Sequence, residues 1–147
     1  MISHAPSVRA VQLGHLALLP FVAGAAAVLL VRDAWQPLAG AALSAYAATV
    51  VSFLGGIHWG FGMRQSQPAV GLFVWGVVPS IAAWAALLLS LGAALTLHAA
   101  MLALCLFVDR TVYPREGAAA WLGLRTRLTV IAVLSCLLAS WSLLAAR

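Results

Sequence analysis

The chain has 147 residues, of which 65% are hydrophobic and only 7% are charged, and its mean hydropathy is +1.07. A soluble domain carries about 25% charged residues, so this composition excludes a soluble fold. The formal net charge is +5, but the arginines are scattered along the chain and form no basic patch typical of a nucleic-acid-binding protein. We therefore expect the lipid bilayer to be the chain's surroundings and expect no nucleic acid partner.

Five apolar segments follow one another along the chain. A spanning helix needs about 20 mainly apolar residues, and five segments meet or approach that length: residues 13–31, 37–63, 70–91, 94–108 and 128–146. They predict an all-α integral membrane bundle of five transmembrane helices in a single domain, 1–147, with a cytoplasmic loop at 109–127. The fourth segment is short, so a re-entrant segment is its alternative. Pro20 and Pro79 lie within spans and are expected to kink their helices or simply to shape the bundle.

The distribution of arginine predicts the orientation, because short cytoplasmic loops are enriched in basic residues. We call the side that holds the predicted N-terminus the N-terminal side. Five alternating spans place six arginines there and two on the opposite side, which predicts a cytoplasmic N-terminus. The six are Arg9, Arg64, Arg110, Arg115, Arg125 and Arg127, and the two are Arg32 and Arg147.

The second span carries small residues at every fourth position. Such a stripe lets another helix approach closely and predicts the central packing face of the bundle or, alternatively, a dimer interface. A second stripe on the same helix consists of Val51, Gly55, His58 and Gly62. The first stripe is Gly40, Ser44, Ala48, Ser52, Gly56 and Gly60.

His58 lies within the apolar second span, and an ionisable group at membrane depth is a functional-site hypothesis by default. Other polar residues fall at the same depth, so we predict a ligand site or polar network there. A structural alternative pairs Asp109 with an arginine and bonds His58 to a carbonyl or hydroxyl group. His98 is expected near the interface of the opposite side. The candidate residues are His58, Trp59, Ser52, His15, Asp109, Arg110 and Arg125.

Catalytic and metal-binding patterns are missing from the sequence. The only acidic residues are Asp33, Asp109 and Glu116, so paired carboxylates for acid–base chemistry are excluded. Ser52 and His58 lie about 9 Å apart along one helix, too far for a nucleophile and its base. Neither cysteine, Cys105 or Cys136, has metal-ligand spacing, and both are expected to be buried, reduced thiols. We predict no enzymatic activity, no cofactor and no metal.

Several motifs resemble one family of membrane proteins. The core motif is Ser-Phe-Leu-Gly-Gly-Ile-His-Trp-Gly at residues 52–60, followed by Trp75 and by Val-Pro-Ser at 78–80. Asp109-Arg110 and Trp121…Arg125-x-x-Leu128-Thr129 follow. Together they resemble the small bacterial inner-membrane proteins of unknown function that are related to animal transmembrane protein sixty-nine. The resemblance covers nearly the whole chain and implies a multi-pass helical protein of the bacterial inner membrane. It implies importance for His58, Trp59, Asp109 and Arg125 but supplies no activity.

Three functions agree with these features. The first is a non-catalytic subunit or assembly partner of a larger membrane complex, or a homo-oligomer, which fits the small size and the small-residue faces. The second is a small transporter or binder of a lipophilic or protonatable ligand that uses His58. The third is a haem or quinone redox protein, since two histidines in one leaflet can ligate haem.

Overall fold

The computed structural model describes residues 5–31 and 33–145, and all regular elements within them are helical. This confirms the all-α prediction. Two short 3-10 helices, Asp33–Trp35 and Ala119–Trp121, precede the third and the last α-helix. Arg32, Arg147 and the predicted end of the fifth span at residue 146 lie outside the described residues. The α-helices are α1 (Val8–Leu16), α2 (Leu19–Leu30), α3 (Gln36–Met63), α4 (Val70–Ala86), α5 (Leu91–Arg115) and α6 (Leu122–Ala145).

The first span is divided into α1 and α2 by a break at Ala17 and Leu18. The break precedes Pro20, whose missing N–H and bulky ring disrupt a continuing helix. The hydroxyl of Tyr46 donates a hydrogen bond of 2.8 Å to the carbonyl of Ala17. A carbonyl at the break therefore finds a partner on α3, as a backbone group in lipid must.

The lengths of the third and fourth spans differ from the prediction. The third, α4, has only 17 residues, whereas the fourth, α5, has 25 and is long and apolar enough to cross a membrane. The turn between them lies earlier than predicted, because Ser90 adopts an extended conformation as N-cap and Leu91 and Gly92 already belong to α5. Pro79 lies inside α4 without ending it.

The predicted loop at 109–127 is mostly helical, so that prediction was wrong. Helix α5 continues past Asp109 to Arg115, and α6 already begins at Leu122. The charge of Asp109 does not end α5, because its carboxylate points into the bundle and is 1% exposed. Gly117, with a φ of 75°, reverses the chain directly after α5, a conformation that glycine adopts without steric cost.

Four helices surround the core, and α4 packs on the outside of this group. Helices α2, α3, α5 and α6 contact one another in a ring, and α4 packs against α3 and α5. The core is made of apolar side chains such as Phe21, Val51 and Leu102, together with the buried thiols of Cys105 and Cys136. The side chain of Leu95 in the same cluster is fully buried.

The two small-residue stripes of α3 have different surroundings. The second stripe is buried along its whole length, and a Cβ atom on Gly55 would lie 2.5 Å from the carbonyl oxygen of Gly76 on α4. The first stripe was predicted to pack throughout, but only part of it does. Gly40, Ser44 and Ala48 are buried, Ser52 is half-buried, and Gly56 and Gly60 are exposed. Helix α4 lies on the other face of α3 at this level, which leaves Gly56 and Gly60 uncovered.

Candidate functional site

Three side chains from three helices meet inside the bundle: His58 of α3, Asp109 of α5 and Arg125 of α6. His58 and Asp109 are each 1% exposed, and Arg125 is 9% exposed. Arg125 donates from Nε and Nη2 to Oδ2 of Asp109 at 2.9 and 2.6 Å. Its Nη1 donates to the hydroxyl of Thr129 at 3.4 Å. We call His58, Asp109 and Arg125 the buried triad.

His58 is held by one backbone bond and by a cage of aromatic rings. Its Nδ1 lies 3.3 Å from the carbonyl oxygen of Leu54. The rings of Phe61, Trp75 and Tyr113 surround it, with centroids 6.0 to 6.5 Å away. The imidazole is therefore fixed in orientation and shielded from other polar groups on these sides.

The remaining nitrogen of His58 faces the free oxygen of Asp109. Nε2 lies 3.5 Å from Oδ1, and neither atom makes a hydrogen bond to any residue that the structure describes. A carbonyl only accepts, so the Leu54 contact requires a proton on Nδ1. A neutral ring then turns the lone pair of Nε2 toward the carboxylate. One further proton between these two atoms would convert the contact into a hydrogen bond.

The ion pair of the triad stabilises the bundle because the two charges attract each other, whereas burying each charge is by itself unfavourable. Removing a buried charge from water costs several kcal/mol per ion, and a partner with good geometry offsets that cost. The guanidinium of Arg125 meets a single oxygen of Asp109, Oδ2, through two charge-assisted donors, while Oδ1 has no hydrogen-bond partner among the described residues. The pair fastens α6 to α5 near the N-terminal side.

An apolar groove lies beside the triad, and Arg125 is one of its lining residues. Its volume is about 610 Å³. Helix α1 forms one wall, but it buries none of its residues and, unlike α2, packs against α6 rather than α3. Residues of both α1 and α3 line the groove, and one of them, Phe53 on α3, is exposed at the surface of the bundle. The lining residues are Ala10, Gly14, Ala17, Leu18, Phe21, Val50, Phe53, Leu54, Ile57, Phe61, Arg64, Leu102, Tyr113, Glu116, Gly117, Ala118, Trp121, Leu124, Arg125, Leu128, Thr129 and Ala132.

We call this space the lateral groove. Its polar lining residues are concentrated at the N-terminal side. Arg64 lies over the ring of Phe61, with its guanidinium carbon 5.3 Å from the centroid. Both carboxylate oxygens of Glu116 accept from Nε2 of Gln65 at 2.9 Å. The groove is therefore amphipathic, with an apolar body and a polar end.

The other predicted site residues do not join the triad. His15 is exposed on α1, where its Nδ1 lies 2.8 Å from the carbonyl of Val11. Arg110 is exposed, and Ser52 is half-buried more than one helical turn from His58. Trp59 packs on α4 and donates from Nε1 to the carbonyl of Phe73 at 2.9 Å. His15 and His58 therefore do not form the histidine pair that the haem hypothesis needs.

Tyr113 and Thr129 also belong to the site, and their spacing in the sequence could have indicated this. Tyr113 follows Asp109 by four positions, and Thr129 follows Arg125 by four, so each lies one helical turn from a charged partner on the same face. Tyr113 is 3% exposed and lines the groove. A search for polar residues at this spacing around Asp109 and Arg125 finds both.

His98, which the sequence predicts near the interface of the opposite side, forms a second buried polar contact. It is fully buried, and its Nε2 lies 3.2 Å from the hydroxyl of Ser44. It precedes Asp109 on α5 by eleven residues, or about 16 Å along the axis, on the same helix face. Nearby on α5 and α6, the hydroxyls of Thr96 and Ser140 lie 2.8 Å apart.

The described part of the chain contains no group of three or more histidine, cysteine, aspartate or glutamate side chains placed to hold a metal ion. The triad brings together a buried guanidinium, a buried carboxylate and an imidazole. Groups of these kinds can bind polar or charged partners.

Comparisons with known proteins place these observations in a family. Residues 7–141 match the model of the family described as "Protein of unknown function (DUF3429)". The chain belongs to this family. It is also 35% identical, over 132 residues, to transmembrane protein 69 of Xenopus tropicalis, across 86% of this chain and 51% of that protein. The chain thus spans about half the length of this relative. No solved structure matches.

The family match covers the whole triad and the lateral groove. The resemblance inferred from the sequence motifs is thereby confirmed. The name of the relative and the apolar helices together identify a multi-pass membrane protein. The function of the family is unknown, so any functional conclusion must come from the geometry of the site.

Proposed function

We propose that this DUF3429 protein binds a lipophilic molecule in the lateral groove between α1, α3 and α6. The observation that carries this proposal is the groove itself, a mainly apolar space of about 610 Å³ whose lining includes the side chain of Arg125. Ligand sites typically measure about 300–1,000 Å³ and combine an apolar lining with a few polar groups that fix orientation. The groove has both properties.

Access from the bilayer supports a lipophilic ligand rather than a water-soluble one. Helix α1 has no buried residue, and the break at Ala17 and Leu18 separates it from the firmly packed α2. An apolar molecule dissolved in the membrane therefore reaches the groove laterally without crossing water. Its polar end would lie beside Arg125, with Arg64 and Glu116 near the rim.

A role as an assembly subunit, the first of the functions predicted from the sequence, stays a prediction. The exposed Gly56 and Gly60 offer a surface to another helix but do not identify one. The groove favours the second predicted function, a small-molecule binder, because it supplies both a place for the ligand and a polar group to orient it.

We also propose that the protein resides in the bacterial inner membrane with its N-terminus in the cytoplasm. The arginines Arg9, Arg64, Arg115 and Arg127 belong to the ends of α1, α3, α5 and α6 that lie at one side of the bundle. An excess of arginine favours the cytoplasmic side. The polar end of the groove would then face the cytoplasmic leaflet.

A groove-filling substitution tests the binding proposal. Ala17→Trp places a large ring in the groove while keeping the carbonyl that Tyr46 binds. Ala45→Trp is the matched control, since Ala45 is exposed like Ala17 but lies on α3 and does not line the groove. Native mass spectrometry from detergent micelles would count bound hexadecanol or hexadecanesulfonate.

We expect a one-to-one adduct with at least one of these two probes for the wild type and for Ala45→Trp, and its loss for Ala17→Trp. Equal binding by both variants, or no adduct in the wild type with either probe, would contradict the proposal.

A further inference from the structure

We propose that the ligand of the lateral groove is a single-chain amphiphile with an anionic head group, and that this head group binds Arg125 while His58 takes up a proton. This inference rests on the proposed binding function and specifies its ligand. It follows from three observations: the position of Arg125, the charge balance of the triad, and the unpaired atoms between His58 and Asp109.

Arg125 belongs to both the triad and the groove. Its Nε and one hydrogen of Nη2 serve Asp109, and one hydrogen of Nη1 serves Thr129. A guanidinium has five donors, so donor hydrogens remain on the terminal nitrogens, and the Tyr113 hydroxyl lies beside the same guanidinium. A remaining donor can bind an oxygen of a carboxylate or of a comparable anion. Since Arg125 lines the groove, an anionic head at its polar end is within reach of such a donor.

Charge balance couples this binding to a proton. Asp109 and Arg125 together are neutral, and a second anion beside Arg125 leaves the buried group with one net negative charge. An uncompensated charge in a medium of low dielectric constant is costly. Protonation of His58 restores neutrality, and the new proton lies between Nε2 and Oδ1, two buried atoms only 3.5 Å apart.

The other groups around His58 do not take over this role. From α4, Trp75 faces it with a side chain that does not ionise in this range. From α5, Tyr113 and Cys105 lie near Asp109, and both are neutral acids that release protons only at high pH. Glu116, beyond α5, already has both carboxylate oxygens bonded to Gln65. The proton is therefore taken up at the contact between His58 and Asp109, and we assign it to His58 because an imidazole is ordinarily a stronger base than a carboxylate.

The dimensions of the groove favour one acyl chain. A volume of about 610 Å³ lies in the range of drug-sized ligands, which suits a single chain rather than an entire two-chain phospholipid. The cations Arg64 and Arg125 line the groove together with Glu116, whose two carboxylate oxygens accept hydrogen bonds from Gln65. The two guanidinium groups are the cations that an anionic head meets there.

Calorimetry of the full-length wild type in a neutral detergent tests the inference. Hexadecanesulfonate serves as the anionic probe because its charge does not change with pH, and hexadecanol is its neutral counterpart. Titration at pH 7.5 in two buffers of different ionisation enthalpy gives the number of protons taken up. We expect about one proton per bound sulfonate and none per alcohol, and therefore a sulfonate affinity that falls about tenfold per pH unit above neutrality.

Two histidine variants locate the proton. His58→Gln is expected to abolish the proton uptake and the pH dependence. His98→Gln, a change at the other buried histidine, is expected to retain both. If His58→Gln does not fold, the comparison of the two probes on the wild type still decides whether binding of the anion takes up a proton.

The possible failures are distinguishable. Equal affinity for the sulfonate and the alcohol, with binding still lost in Ala17→Trp, overturns the anionic head group and leaves the binding proposal intact. Tight sulfonate binding without proton uptake overturns the role of His58. Binding of neither probe overturns the proposed function itself.

Discussion

Each half of the bundle buries one histidine between α3 and α5, yet the two have different partners. On the N-terminal side, His58 faces a carboxylate that is paired with an arginine, and that arginine lines the lateral groove. On the opposite side, His98 contacts the neutral hydroxyl of Ser44. A neutral contact of this kind closes and orients a helix pair, whereas a charged triad beside a groove also offers binding energy. On this difference we propose a functional role for His58 and a structural one for His98.

The largest expected difference between the two halves concerns stability. Arg125→Gln leaves the buried carboxylate of Asp109 without its cation and should lower the free energy of unfolding by about 3–5 kcal/mol. Ser44→Ala removes only a neutral partner of His98 and should cost about 1 kcal/mol. Unfolding by denaturing detergent in mixed micelles measures both. The contrast between the halves fails if the two losses are equal.

A double substitution sharpens this result. Adding Asp109→Asn to Arg125→Gln removes both charges, so most of the lost stability should return, because replacing a whole buried ion pair is often nearly neutral. The same unfolding measurement applies. A double variant as unstable as Arg125→Gln alone would assign the loss to packing instead of charge.

A smaller effect is expected where α4 closes the aromatic cage of His58. Gly55→Ala places a methyl group against the backbone of Gly76 and forces α4 outward, which should cost about 1–3 kcal/mol. Gly56→Ala is the matched control, since nothing lies within 4 Å of its Cβ position, and alanine is the better helix former. Thermal unfolding compares the two, and a stability loss in Gly56→Ala as large as that in Gly55→Ala would contradict the packing assignment.

The smallest expected effect belongs to the opposite half. A double-mutant cycle of His98→Leu and Ser44→Ala should give a coupling energy of about 0.6 kcal/mol, the average for interhelical hydrogen bonds in membranes. Ligand binding should not change, as measured by the same mass spectrometry. Loss of ligand in these variants would show that the two halves act together.

The sequence predicted the helical class and the central members of the site, but not the helix ends. Apolar segment length is the main signal for spans, and it detected all five. Charged residues were taken as ends, which failed at Asp109 and Arg125 because each neutralises the other inside the bundle. The sequence offered a pair between Asp109 and an arginine only as an alternative and did not identify Arg125, since the pair joins positions 16 residues apart on two different helices.

The lateral groove illustrates what the sequence could not provide. Pro20 predicted a kink, but whether a kinked helix opens a space depends on which neighbour each half contacts. Here α2 packs against α3 and α6, whereas α1 packs against α6. Such contacts depend on the three-dimensional packing of the helices. The buried stripe of Val51, Gly55, His58 and Gly62 was, by contrast, recognisable from helical periodicity alone.

The short α4 has a consequence for the surrounding bilayer. Its 17 residues span about 26 Å, less than the hydrocarbon thickness of about 30 Å, whereas the neighbouring α3 has 28 residues. A short span is accommodated by local thinning of the bilayer or by flanking side chains that reach the interface, at a fraction of a kcal/mol per Å of mismatch. We therefore expect the bilayer to be thinner beside α4 than beside α3, and thin, short-chain bilayers should suit the α4 side best.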